Sequence, residues 1–246
     1  LSFTGSPAVG WEMKRNAGKK KVVLELGGNA AVIITPTADM EKAVAKSIVA
    51  GFSYSGQICI HAQRFFVHES VFNTFSNLFV AAAKKLKQGN PESADTEVSN
   101  MIDGENAKRV ESWINEALQQ GASLLLGGKR NGNFVEPTVL TNTNTTMDVC
   151  SKEVFGPVVT IEKYSTFAEA VEMLNDSDFG LQAAVFTLND QEITTAFQTI
   201  ETGGVIINDV PTFRVDHMPY GGVKDSGLGR EGVKYAILDM MEAKIL

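Results

Sequence analysis

Histidine and cysteine are scarce in this chain of 246 residues, with three of the first and two of the second, and that scarcity excludes a good deal. Cys59 and Cys150 lack metal-like spacing and provide no disulfide framework, which fits a reducing, cytoplasmic setting. His61, His68 and His217 have no ligand spacing either, so no metal site is expected. None of them stands out as the partner that a papain-like thiol would need. Positive charge is not in excess: 22 Lys and Arg against 29 Asp and Glu leave a net charge of −7. A nucleic-acid surface needs clustered Lys and Arg, so none is expected. The one dense basic run, Lys19-Lys20-Lys21, reads as a solvated strand edge. No apolar run approaches the roughly 18 residues of a membrane span. The longest apolar-rich helix candidate, Val71 to Lys87, ends in Lys84, Lys85 and Lys87. A secretory signal, an internal repeat and a low-complexity segment are all missing.

What is present is enough to fold. Apolar residues make up 43% of the chain, sufficient for a substantial core in one large or two small domains. The opening Leu1-Ser2-Phe3-Thr4-Gly5-Ser6 has no initiator Met and begins inside a strand-to-turn junction, so the sequence reads as a piece of a longer protein. Ser6-Pro7 suits a helix start, with Ser as cap and Pro at the first helical position.

Strand and helix patterns then alternate. Residues 20–26, 30–35, 64–68, 123–126, 158–164, 183–187 and 205–208 read as strands. Residues 39–52, 103–120, 167–175 and 191–200 have helical apolar spacing, as does the long helix after Ser70, which is expected to cap it. Glu136-Pro137 demotes 134–140 to an edge strand at best. Residues 237–246 read as a closing strand. Strands separated by such helices imply parallel pairing and right-handed crossovers. The expected fold is α/β, a doubly wound and mostly parallel sheet with helices on both faces. In that architecture sites gather at the carboxyl ends of strands, where Glu25 and Asn208 would both sit.

Two residues carry the chemistry. Cys59, in Ser55-Gly56-Gln57-Ile58-Cys59-Ile60, reads as a nucleophile. A free thiol ionises only near pH 8.5 or so, so its site must supply a base or positive potential. Glu25 is the candidate base, since a short apolar strand runs through it into Gly27-Gly28 and would leave its carboxylate at the strand end. By residue type alone, a cysteine between two isoleucines is also ordinary packing, and Glu25 is also a strand-end carboxylate satisfied by turn N–H groups. Cys150 reads as a small apolar filler.

Five ordered motifs decide between these readings. Phe3-Thr4-Gly5-Ser6 with Gly10, Glu25-Leu26-Gly27-Gly28, Gly56-Gln57-Ile58-Cys59, Glu153-Val154-Phe155-Gly156-Pro157 and Pro219-Tyr220-Gly221-Gly222-Val223-Lys224 follow one another with Glu25 and Cys59 thirty-four residues apart. Together they resemble the NAD(P)-dependent aldehyde dehydrogenase superfamily, over the whole chain, and in particular its C-terminal, catalytic half. The resemblance implies a C-terminal remnant of the dinucleotide-binding domain over 1–26, a catalytic domain over 27–226, and a return segment with a closing strand over 227–246. It implies that Cys59 attacks an aldehyde and that Glu25 activates the water that releases the acid. NAD or NADP would meet Gly5, Ser6, Leu26 and Gly27, with Glu153 at the nicotinamide ribose and Phe155 beside its ring.

For the substrate, a small-molecule aldehyde, the resemblance implies an apolar wall of Ile58, Ile60, Phe213 and Tyr220. Arg214 and His61 would greet an anionic or hydroxylated tail, or Arg214 would simply pair with Asp216 or another carboxylate. The segment from Asn208 to Met218 is similar to the lactaldehyde and semialdehyde branch. A homo-oligomer is expected of the full-length enzyme, and weak cofactor binding with incomplete activity of this chain by itself. Two other classes stay in view. An acyl-transferring or thioester-hydrolysing enzyme is opposed by Glu25, which the reductive acyl-transferring branches typically lack. A non-catalytic fragment would show an inert thiol.

Overall fold

The computed structural model describes residues 1–246. The chain builds a seven-stranded sheet, a three-stranded sheet and two two-stranded ribbons. The large sheet runs from edge to edge through Gly204–Ile207, Gln182–Phe186, Ala30–Ile34, Ala62–His68, Val158–Tyr164, Thr138–Thr141 and Ser123–Leu126. Every neighbouring pair is parallel except the last, which is antiparallel.

Ala30–Ile34 is an unbroken apolar run because both of its faces are covered. Val32 and Ile34 join Phe65, Phe75 and Phe79 beneath the helices Met40–Phe52 and Phe72–Ala83. Ala31 and Ile33 join Phe66 and Val185 on the other face, against Phe167–Asn175 and Asp190–Thr199. A third apolar cluster packs Val110 and Ile114 of the helix Gly104–Gln119 against Leu140 and Val158. Helix starts follow local chemistry: Asp39 accepts the Lys42 N–H at 3.1 Å, Asp103 accepts the Asn106 N–H at 2.7 Å, and Thr166 with Glu169 forms a capping box. The helices are too short or too polar to cross a membrane.

The small sheet is a separate βαβ unit. Ser2–Thr4 lies parallel to Val23–Glu25 across the helix Pro7–Asn16, and Gly227–Leu228 adds an antiparallel third strand. Gly10 of that helix abuts the Leu26 side chain, leaving no room for a side chain of its own.

Three expectations about single elements are corrected. Ser70 does not cap the helix Phe72–Ala83, because its hydroxyl is taken by His68 Nδ1 at 2.8 Å, and Val71 stands at the cap position instead. Thr138–Thr141 is an interior strand: Pro137 lies just before its first residue, so the missing N–H falls outside the ladder. The closing strand is absent as well. Val233–Met240 is a helix, and 241–246 has no regular structure. Ile237 and Leu238 are consecutive apolar residues rather than alternating ones, and with Val233 and Met240 they keep a helical spacing.

The largest correction concerns which end of the sheet matters. Gly28 and Asn29 precede Ala30–Ile34, His61 precedes Ala62–His68, and Glu153 to Pro157 precede Val158–Tyr164. These candidate segments therefore lie at the amino ends of the large sheet's strands. Glu25 is at a carboxyl end, as expected, but of the small sheet. Asn208 lies at the opposite edge of the large sheet, where its side chain spans the strand ends by bonding the Thr187 N–H at 3.0 Å and the Thr187 C=O at 2.9 Å.

Candidate active site

Glu25 ends its strand and turns inward. The residue is 5% exposed, and neither carboxylate oxygen has a hydrogen-bond partner. The turn N–H groups are engaged elsewhere: Leu26 donates to the Ser226 carbonyl at 2.9 Å and Gly28 donates to Glu153. A β-carbon on Gly221 would stand 3.0 Å from Oε1, so the carboxylate faces the loop after Pro219. Burial, then the charge of Glu231, pushes the Glu25 carboxyl up to about 8 against the pull of Arg214 and Arg230. It is thus a carboxyl that changes charge near neutrality rather than a permanently charged group.

Cys59 is delivered by an irregular loop. The helix Met40–Phe52 gives way at Tyr54 and Ser55 to two successive left-handed residues, with φ of 53° and 56°, followed by Gly56 at 70°. Gly56 is required there because the Gly156 carbonyl lies against its α-carbon. Such conformations cost on the order of 1 kcal/mol each and persist only under restraint. Here the Ser55 hydroxyl donates to the Ser99 carbonyl at 3.0 Å and accepts the Ser99 N–H at 2.9 Å, while Gln57 Oε1 accepts the Ile102 N–H at 2.8 Å. The Cys59 carbonyl presses on Gly28, which therefore has no space for a side chain. The sulfur stands 3.4 Å from the Tyr220 hydroxyl. Burial pushes the Cys59 thiol up, as do the charges of Glu153 and Glu25, whereas the Tyr220 hydroxyl and the residue's own backbone N–H pull it down.

Glu153 Oε1 accepts the Gly28 N–H at 2.9 Å, and its other oxygen lies against Gly27. Burial pushes this carboxyl up to about 7, opposed by the Gly28 N–H and by Arg109. Its segment is held by Gln63, buried in the strand Ala62–His68. Gln63 Nε2 donates to the carbonyls of Val149 at 3.0 Å and Lys152 at 2.8 Å, and Oε1 accepts the Val154 N–H at 2.9 Å.

One cleft of about 710 Å³ joins these parts. Gly5, Ser6, Leu26, Gly27, Glu153 and Phe155 all line it, together with Cys59 and Ile58. Glu25 lies beyond the Leu26-Gly27 turn, close enough for its charge to act on the thiol. Three lining residues went unread in the sequence: Asn106, Arg109 and Trp113 on the helix Gly104–Gln119. Arg109 stacks over the Trp113 ring at 4.6 Å and donates to the Val154 carbonyl at 2.8 Å. Their spacing of three and four residues on one helical face is the signal that would have found them.

The expected substrate wall is only partly assembled. Tyr220 is buried against Cys59, and Ile60 is half-buried. Phe213 remains exposed, with its carbonyl accepting from Gln182 Nε2 at 3.2 Å. Arg214 pairs with Glu231 at 2.8 Å rather than Asp216, and its guanidinium lies 4.2 Å from the Tyr220 ring centroid. His61 does not reach the site. It is buried, bonded through Nε2 to the Gly51 carbonyl at 2.9 Å, and burial pushes it down to about 4, so it is neutral.

Known proteins match this chain from end to end. The model of the aldehyde dehydrogenase family matches residues 1–246. The 3-sulfolactaldehyde dehydrogenase of Priestia megaterium is 48% identical over all of this chain and 52% of its own length. The lactaldehyde dehydrogenase of Methanococcus aeolicus is 44% identical, over 53% of its length. Among solved structures, aldehyde dehydrogenase 21 of Physcomitrella patens, in complex with its reaction product succinate, superposes with a TM-score of 0.98 at 49% identity, over all of this chain and 51% of that one. Glyceraldehyde-3-phosphate dehydrogenase of Methanocaldococcus jannaschii, complexed with NADP, gives 0.94 at 42% identity, over 97% of this chain and 52% of that one. The chain spans about half the length of the relatives it matches.

Proposed function

The chain belongs to the aldehyde dehydrogenase family, and from that premise we propose that it forms the catalytic half of an enzyme oxidising an aldehyde to a carboxylic acid with NAD or NADP. The observation that carries this reading is the single cleft that unites Cys59 with all six residues expected at the cofactor.

The cleft fits such a group. Its volume lies within the usual range for cofactor sites, about 300–1,000 Å³. Gly5 and Ser6 stand at the start of the helix Pro7–Asn16, where free N–H groups favour phosphate. Glu153, fixed by Gly28, offers a carboxylate for ribose hydroxyls, and Phe155 presents a ring at the mouth. When bound, the nicotinamide supplies a hydride acceptor. Residues 1–26 are then the end of the dinucleotide-binding domain and contribute Glu25, 27–226 are the catalytic domain with Cys59, and 227–246 are the return segment.

The chain's own residues do the rest. The Cys59 thiolate adds to the aldehyde carbon to give a thiohemiacetal, and its backbone N–H faces the developing oxyanion; one such donor is worth roughly 3 kcal/mol of barrier. Oxidation at that carbon leaves a thioester on Cys59. Glu25 takes a proton from water, which attacks the thioester, expels the thiolate and releases the acid. The substrate reading is a short aldehyde that carries an anionic group. It is supported by relatives named for 3-sulfolactaldehyde, sulfoacetaldehyde and aspartate semialdehyde. Self-association belongs to this reading too, and the helix Val233–Met240, which buries none of its residues, supports it.

The test is aldehyde-dependent reduction of NAD or NADP by the protein that contains this chain. Cys59→Ser is expected to abolish it. Glu25→Gln is expected to accumulate an acyl adduct on Cys59, visible by mass spectrometry, while releasing little acid. No adduct and no reduction with any sulfonated or carboxylated short aldehyde would overturn the proposal.

A further inference from the structure

Tyr220 is expected above as part of an apolar wall, yet its hydroxyl points at the nucleophile. The residue is 4% exposed, and the Cys59 sulfur, 3.4 Å away, is the hydrogen-bond partner its hydroxyl finds. The Arg214 guanidinium stands over the same ring at 4.2 Å, held in place by Glu231 at 2.8 Å. A phenol and a thiol can bond in either sense while both are protonated. Once the thiol has ionised, only the phenol can donate. Burial above all, and then the neighbouring Cys59, hold the Tyr220 proton far above the usual phenol range, so it remains a donor wherever the thiol titrates.

The surroundings of Cys59 make such a donor necessary. Burial above all opposes ionisation of the thiol, and the charges of Glu153 and Glu25 add to it. The nearby cations are engaged elsewhere: Arg109 with Trp113 and the Val154 carbonyl, Arg230 with the carbonyls of Gly222 and Gly229, Arg214 with Glu231 and the Tyr220 ring. We propose that Tyr220 is a catalytic residue whose hydroxyl donates to the Cys59 sulfur and holds it as the thiolate, with the Arg214 cation drawing electron density from the ring and so strengthening the donor. The gain is net. Each unit by which a high thiol pKa falls toward the working pH raises the thiolate fraction about tenfold and lowers its intrinsic reactivity about threefold, leaving roughly a threefold advantage.

This inference rests on Cys59 being the nucleophile of the proposed oxidation, but its test needs no turnover. Alkylation of Cys59 by iodoacetamide is followed by mass spectrometry over about pH 6–10, the range that spans ordinary thiols. Tyr220→Phe keeps the ring beneath Arg214 and removes only the donor. Its half-maximal rate is expected about one pH unit higher than in the unaltered chain, with Cys150 reacting as before. A midpoint that stays or falls overturns the proposal. Should Tyr220→Phe fail to fold, replacing the tyrosines by 3-fluorotyrosine, a more acidic phenol of nearly the same shape, is expected to lower the midpoint, and an unmoved midpoint overturns it equally. A shifted midpoint without aldehyde oxidation would sink the proposed function and leave the Tyr220 assignment standing; oxidation with an unmoved midpoint would do the reverse.

Discussion

The Gly28 N–H donates to Glu153 Oε1 at 2.9 Å, across 125 residues of sequence, and ties the turn after Glu25 to the segment proposed to meet the cofactor. The same turn is wedged from the other side, where the Cys59 carbonyl touches Gly28. Glu25, Cys59 and Glu153, the proposed base, nucleophile and ribose-binding carboxylate, thus meet at one two-glycine turn.

That crowding makes Gly28→Ala severe. The new methyl would meet backbone, which cannot rotate away, so the Cys59 loop must move. A loss of about 2–3 kcal/mol in urea unfolding is expected. Gly27→Ala, which meets the Glu153 side chain instead, should cost less stability but weaken NAD or NADP binding more, as read by calorimetry. Equal losses in both readouts for the two variants would show that the contacts do not divide in this way.

Gln63 makes a separate prediction. Gln63→Leu leaves the Val149 and Lys152 carbonyls and the Val154 N–H without their buried partner, at about 1–3 kcal/mol per unsatisfied group before relaxation. A net loss near 3 kcal/mol is expected, with cofactor affinity falling because Glu153 sits between two of the released groups. Chemical denaturation and cofactor titration of the same sample check both halves. A stable variant with unchanged affinity contradicts the positioning role.

The raised Glu25 pKa has two consequences, of opposite direction with pH. Release of acid from acylated Cys59 should rise as pH climbs through about 8 and level off above it, since only the ionised carboxylate takes a proton from water. Stability runs the other way. The folded state holds the Glu25 proton more tightly than the unfolded state, so between the ordinary carboxyl range and about 8 each rise in pH favours unfolding. Glu25→Gln should therefore raise Tm above that window, by at least about 2–4 °C, and leave it little changed at acid pH. A thermal scan at both extremes decides; an equal shift at both would remove ionisation as the cause.

Exposed charge pairs should matter little. Lys21 with Glu242 at 2.8 Å joins two exposed side chains, and Lys21→Ala is expected to change stability by less than about 1 kcal/mol. A larger loss would mean that the final six residues dock more firmly than their exposure indicates.

Where sequence patterns are periodic, they carried through. Ala30–Ile34 and Val158–Tyr164 were readable as strands, and Met40–Phe52 and Gly104–Gln119 as helices, because each depends on residues close in the chain. The motif residues of the cleft were readable because their order and spacing were. What stayed hidden depends on long-range placement. Gln63 and Arg64 interrupt an otherwise apolar strand, and that interruption was the available signal. Gln63 grips the segment before Val158–Tyr164, while Arg64 donates to the carbonyls of Asn29, Met173 and Leu174. Nothing local says which carbonyls they meet. The inverted sheet end has the same origin: the periodicity of 30–34 does not reveal that its strand lies in a different sheet from Glu25.

The separation of the two edges of the large sheet has a practical consequence for handling the molecule. Thr37 accepts the Leu188 N–H at 2.9 Å on the carboxyl edge, and Leu188 is 72% exposed. The two ends of the neighbouring strand Gln182–Phe186 stand about 17 Å apart, the length of five extended residues. A tether fixed to a surface through this corner would hold the molecule by the end of the sheet opposite Glu153, so immobilisation and chemistry need not compete for the same end.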